Sequence, residues 1–224
     1  MADAIVVNEV SKYFVGRPAL IDVSLRIPAG CIFCLAGPNG SGKTTLLNII
    51  AGVLSPSKGR VEIDRSLKLG YSYQHPKLSE ELTVGENLSF FSQLNDAKDA
   101  EWGRNLIRML KLDGILNENA DGLSSGTMKR LEIAVSLLHN PEIILLDEPT
   151  AGLDTESTKE ILGLLRLFKK EGKTAVVATH QLENFCRVCG RLAVLSEGRV
   201  VLEREIGKMS EKKLMQLYES ISKD

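Results

Sequence analysis

No apolar run in this chain approaches the ~18–20 residues that a membrane span needs, so any membrane role has to come through a partner. The opening residues, Met1-Ala2-Asp3-Ala4, lack a basic region followed by an apolar stretch, and no secretory leader is expected. An excess of charge is missing too. The 28 basic and 29 acidic residues leave a formal net charge of −1, which gives no push toward nucleic acid or acidic lipid. There is no internal repeat and no low-complexity tract. Cysteine is scarce: four residues, in two C-x-x-C pairs, Cys31/Cys34 and Cys186/Cys189. Two such pairs suggest zinc. Cys31 and Cys34, however, share one strand-like run, where positions i and i+3 face opposite sides. Cys186 and Cys189 read as one helix face. Small buried hydrophobes are the expectation for all four, with no disulfide in a chain that reads as cytosolic.

What is present is ordinary globular composition, 43% apolar and 25% charged, over 224 residues. That length supports one large domain, or a domain with a subdomain, around a proper core. The chemistry is concentrated in Gly37-Pro38-Asn39-Gly40-Ser41-Gly42-Lys43-Thr44-Thr45, which fits G-x-x-x-x-G-K-[ST]. An apolar run, Ile32 to Ala36, precedes it, and Leu46, Leu47, Ile49 and Ile50 follow at helical spacing. Glycines let the backbone turn tightly and bring N–H groups against phosphate oxygens. The helix start adds its dipole and its unpaired N–H groups. Lys43 offers a point charge to the β and γ phosphates, and the Thr44 hydroxyl can ligate Mg²⁺.

Before the loop, Ile5 to Val7 and Val23 to Ile27 read as strands of a β-rich N-terminal lobe, with a turn at Gly16-Arg17-Pro18. Tyr13 and Phe14 precede that turn, either as lobe packing or as a stacking face for an adenine base. Leu69 to Tyr73 reads as a strand ending at Gln74-His75-Pro76, a loop entry where ligand groups sit; a solvated amide is the other reading of Gln74. Residues 78–140 turn helical. Thr83 and Glu86 form a capping box, and a last helix opens after Leu123-Ser124-Ser125-Gly126-Thr127, a start that suits an anion or simply a cap. Ile143 to Leu146 is a short strand that delivers Asp147 and Glu148 to its C-terminal edge, where parallel sheets bind ligands. Asp147 can hold Mg²⁺ through water, and Glu148 can orient or deprotonate a water. Asp154 follows in a turn, a helix is expected over Thr158–Lys169, and His180 stands just past the strand Ala175–Ala178. A lone His is usually structural; its place on this edge favours function.

Taken together, these motifs resemble the nucleotide-binding subunit of ATP-binding cassette (ABC) transporters. They do so over essentially the whole chain and in the family's order, with the narrower wording closest to prokaryotic ABC-2-like exporters. The resemblance implies an α/β fold: a P-loop NTPase core with a mostly parallel sheet, an N-terminal antiparallel β lobe and a helical subdomain. The core would span about 1–76 and 141–224, the subdomain about 77–140. It implies ATP and Mg²⁺ as ligands. ATP is held by residues 37–45, with adenine stacked on Phe14, or on its neighbour Tyr13. The metal is held by Thr44, Gln74 and Asp147. Lys43, Gln74, Glu148 and His180 are the catalytic set. Ser124, Gly126 and Asp154 would meet the nucleotide of a second subunit paired head to tail. One motif departs from the family's Leu-Ser-Gly-Gly-Gln: Ser125 and Thr127 replace a glycine and the glutamine, while the demand for a residue without a Cβ stays on Gly126. The implied partners are a second ATPase subunit and a membrane permease that carries the chain to the cytoplasmic face, without nucleic acid or direct insertion. A soluble cassette ATPase is the alternative; a regulator without turnover is disfavoured by Glu148 and His180.

Overall fold

The computed structural model describes residues 2–64, 66–73, 78–206 and 211–222. Two sheets meet in it. The smaller is antiparallel, in the order β2-β1-β4, from β1 (Asp3–Phe14), β2 (Arg17–Pro28) and β4 (Lys58–Ile63). Val15 and Gly16 both take positive φ, 46° and 77°, and close a two-residue hairpin loop. Paired left-handed residues match the twist of the flanking strands. The turn thus falls one residue earlier than its Gly-Arg-Pro wording suggests, and Arg17 and Pro18 belong to β2.

The larger sheet has the order β5-β6-β7-β3-β8-β9, from β3 (Ile32–Ala36), β5 (Leu69–Ser72), β6 (Ile143–Asp147), β7 (Thr174–Thr179), β8 (Arg191–Ser196) and β9 (Arg199–Glu205). Its first five strands run parallel and β9 returns antiparallel along the edge. Every residue of β3, β6 and β7 is buried. These strands read as unbroken apolar runs because both faces of the sheet are covered. On one face Phe33 and Leu35 pack with Leu46 and Leu47 of α1 (Lys43–Ile50) and with Ile5 and Leu20 of the small sheet. On the other, Cys34 and Ile144 pack with Leu165 and Phe168 of α5 (Thr155–Lys170).

Between β5 and β6 the chain is helical: α2 (Val84–Leu94), α3 (Ala100–Met109) and α4 (Ser125–Leu137). The expected capping box opens α2. Glu86 N–H donates to Thr83 Oγ1 at 3.2 Å, and Thr83 N–H donates to Glu86 Oε2 at 2.8 Å. Trp102 Nε1 donates to the Leu137 carbonyl at 2.7 Å and ties α3 to α4. Helix α5 begins three residues before its apolar pattern does, because Asp154 caps it, accepting from Ser157 N–H at 2.7 Å. Two short helices, α6 (Leu182–Phe185) and α7 (Glu211–Ser222), complete the order.

All four cysteines are free thiols; Cys34, Cys186 and Cys189 are buried and Cys31 partly so. The two pairs meet in space. A hydrogen bond with Cys189, then burial, holds the Cys34 thiol well above its ordinary pKa, and burial followed by Cys189 raises Cys31. Among the described residues no group of three or more His, Cys, Asp and Glu is arranged to hold a metal ion.

Candidate nucleotide site

The strand ends of β3, β6 and β7 lie side by side, with Ala36 opposite Thr179 and Asp147 opposite Ala178. Gly37 N–H donates to the Thr179 carbonyl at 3.2 Å, and Glu148 N–H donates to the Ala178 carbonyl at 2.9 Å. The phosphate loop leaves β3 at this edge and enters α1 through Gly42, whose φ is 105° and whose Cβ, if it had one, would lie 2.6 Å from the Ala19 carbonyl. Only glycine meets both conditions. No side chain caps α1, so its first N–H groups are left to face an anion.

Lys43 is buried although charged. Its ammonium donates to the carbonyls of Gly37 at 2.8 Å and Pro38 at 3.1 Å, and lies 3.5 Å from Glu148 Oε1. Glu148 Oε2 accepts from His180 N–H at 3.4 Å and is 3.0 Å from His180 Nδ1. One carboxylate therefore joins the loop lysine to the histidine that follows β7. Glu148 itself has a φ of 47°. A left-handed non-glycine residue costs of order 1–3 kcal/mol, and such strain gathers at functional positions. The imidazole is 38% exposed while the glutamate is 7% exposed, so the pair runs from the core to the surface.

Asp147 is buried, and neither carboxylate oxygen has a full hydrogen-bond partner among the described residues. Burial raises its pKa, and the nearby Thr44 hydroxyl offsets this in part. A desolvated carboxylate with spare lone pairs beside a hydroxyl is a donor set that suits a hard divalent cation.

Asn39, Gly40, Gly42, Lys43, Thr44, Thr45, Glu148 and Ala19 line a cleft of about 330 Å³. Gly37 and Pro38 adjoin it through Lys43, and Ser41 is buried within the loop, its N–H donating to the Pro38 carbonyl. Ala19 reaches the cleft from β2, with no local sequence signal to announce it. Phe14 and Tyr13 do not line this cleft. Both stay exposed at the end of β1, with Lys12 Nζ 5.2 Å from the centre of the Phe14 ring. Gln74 lies outside the described residues.

Ser124, Gly126 and Asp154 form a separate group that does not line the cleft either. Ser124 caps α4, accepting from Thr127 N–H at 3.1 Å. A Cβ on Gly126 would stand 2.7 Å from Ser157 Oγ and 3.9 Å from Asp154 Oδ2. A Cβ here would require the Ser157 hydroxyl, in the first turn of α5, to turn aside. Sequence reading passed over Ser157; its one signal is its place three residues after the cap Asp154. A second cleft of about 430 Å³ opens where β5 meets α2 and α4, with Tyr71, Tyr73, Phe91, Leu94 and Val135 on its walls.

The family described as ABC transporter matches residues 20–151. An uncharacterized ABC transporter ATP-binding protein of Methanocaldococcus jannaschii is 35% identical over 90% of this chain and 77% of its own length. The methionine import ATP-binding protein of Protochlamydia amoebophila is 38% identical over 84% of this chain; the match spans 60% of that longer relative. Among solved structures, a dimeric ATP-binding cassette in a post-hydrolysis state, bound to ADP and Pi, superposes with a TM-score of 0.78 at 33% identity, covering 90% of this chain and 98% of that one.

Proposed function

The chain belongs to the ABC transporter family of ATP-binding subunits, and from that premise we propose that it binds and hydrolyses ATP in a head-to-tail dimer that drives a membrane permease. The observation that carries this is the contact from the buried Lys43 through the buried Glu148, both on the wall of the phosphate-loop cleft, to the partly exposed His180. The loop N–H groups, Lys43, Thr44 and Thr45 hold the phosphates, and Phe14 offers its exposed ring to the base. The γ-phosphate draws Lys43 toward itself, which frees Glu148 to take a proton from the attacking water. His180 steadies both the glutamate and the γ-phosphate oxygens. Asp147 and Thr44 would hold Mg²⁺, with Gln74 as a third ligand. That ion, when bound, neutralises charge on the β and γ oxygens.

Ser124, Gly126 and Asp154 of a second copy close the site. The exposure of Ser124 and Asp154, away from their own chain's cleft, supports a shared site. The region of about 77–140 acts as a subdomain, and its apolar cleft beside Tyr73 and Leu94 supports docking of a cytoplasmic helix of the permease. No helix among the described residues is long and apolar enough to cross a membrane, so attachment runs through that contact. Glu148→Gln tests the reading. Steady-state turnover should fall by ~10²–10⁴, the range for losing a general base, while ATP affinity holds. Near-normal turnover would place the base elsewhere.

A further inference from the structure

Thr127, which replaces the family's glutamine, has its hydroxyl between two other side chains. Arg130 Nη2 donates to Thr127 Oγ1 at 2.9 Å, and Thr127 Oγ1 lies 2.9 Å from Ser124 Oγ. The Thr127 N–H donates to the same Ser124 oxygen at 3.1 Å. Arg130 is itself held in place. Its Nη1 donates to the Leu110 carbonyl at 3.0 Å and pairs at 2.9 Å with Glu160 Oε2 on α5. The other Glu160 oxygen meets Lys111 at 2.8 Å. The side chains of Arg130 and Glu160 are 13% and 9% exposed, so water competes little with this geometry.

The protons in this chain of contacts can be followed. A guanidinium donates and never accepts. Thr127 Oγ1 therefore gives a lone pair to Arg130 and keeps its own proton. The adjacent positive charge makes that O–H a stronger donor than the Ser124 hydroxyl, which has only neutral neighbours in the contact. With that O–H donating to Ser124 Oγ, which already accepts from the Thr127 N–H, both lone pairs of Ser124 would be used and its own proton would be directed away from α4.

We propose that Thr127 is a positioning residue, fixed by Arg130, that sets Ser124 as an outward-facing hydrogen-bond donor to the nucleotide phosphate held by a second copy of this chain. The inference rests on the head-to-tail reading above. It assigns Thr127 a role carried by hydroxyl polarity and not by the length of a glutamine side chain. Valine at this position keeps the shape and removes the relay; serine keeps the relay and removes a methyl group.

The test uses the full chain in the Glu148→Gln background, where ATP is consumed ~10²–10⁴-fold more slowly. ATP-dependent dimerisation is followed by sedimentation velocity, and ATP binding to the single chain is titrated at low protein concentration. Thr127→Val should weaken the dimer about tenfold, with single-chain ATP affinity unchanged, and Thr127→Ser should restore dimerisation to within about twofold of the parent. Equal dimerisation by Thr127→Val and the parent would overturn the proposal, as would a Thr127→Ser variant as weak as Thr127→Val. If the parent itself fails to dimerise with ATP, the head-to-tail reading falls, and this inference with it.

Discussion

The phosphate loop and the edge around Ser124 differ in how much of a site each one holds. At the loop, strand ends, helix start and side chains converge within one chain. Lys43, Asp147 and Glu148 are all buried there, and one cleft gathers Glu148 with six of the nine loop residues. At the Ser124 edge the groups face outward: Ser124 and Asp154 are exposed, and their contacts are helix caps. The first region carries buried charges and a left-handed glutamate, costs that a fold keeps only where something repays them. Ser124, Gly126 and Asp154 themselves carry neither, although Arg130 and Glu160 form a largely buried ion pair beside them. A site divided in this way suits a chain that binds nucleotide alone and completes its chemistry only against another copy.

Changes in the two regions should therefore separate binding from assembly. Lys43→Ala should have the largest effect. Loss of the buried Lys43 ammonium should raise the ATP dissociation constant ~10²-fold or more, a ~3 kcal/mol charge-assisted contact. Titration of the single chain with a fluorescent ATP analogue reads this, and unchanged affinity would remove the loop from the site.

The same contrast explains what the sequence made legible. The loop announced itself because its glycines, Lys43 and Thr44 are fixed by spacing along one strand–turn–helix unit. The strands β3, β6 and β7 announced themselves as apolar runs. Asp147 and Glu148 could be placed at a sheet edge because a short buried strand led directly to them. What spacing could not carry were contacts between distant segments. Ala19 reaches the cleft from another sheet, and Glu160 meets Arg130 across two helices. Ser157, thirty-one positions along the chain, sets its hydroxyl against Gly126. The cysteines show the limit most plainly. The expectation of small, largely buried residues holds, but the expected helix face does not, since α6 ends at Phe185 and leaves Cys186 and Cys189 beyond it, and nothing in the spacing showed that Cys189 would lie against Cys34.

A smaller effect sharpens the comparison from the side of stability. Burial holds the Asp147 carboxyl above its usual 3.8, so the folded state binds this proton more tightly than the unfolded chain does. Below about pH 3.8 both states are protonated and there is no penalty. As pH rises past that value the unfolded chain ionises first, and stability falls until the folded-state pKa is passed. Asp147→Asn should therefore melt higher than the parent at pH 7. The gain should fade toward pH 4, while magnesium-dependent turnover drops ~10²-fold or more. A melting series across pH, with no gain at neutrality, would mean that Thr44 and its neighbours satisfy this carboxylate fully in the fold.

The most direct measurement of a divided site changes Ser124 without disturbing the helix it caps. Aspartate is as good an N-cap as serine, so Ser124→Asp should preserve α4 while placing a negative charge where a phosphate of the other chain is expected. In the Glu148→Gln background, sedimentation velocity with ATP should show the parent shifting from monomer to dimer mass. The Ser124→Asp variant should remain monomeric while still binding ATP with unchanged single-chain affinity. Equal dimerisation by the two chains, or loss of ATP binding by the single Ser124→Asp chain, would contradict a site built from the phosphate loop of one copy and the Ser124 edge of another.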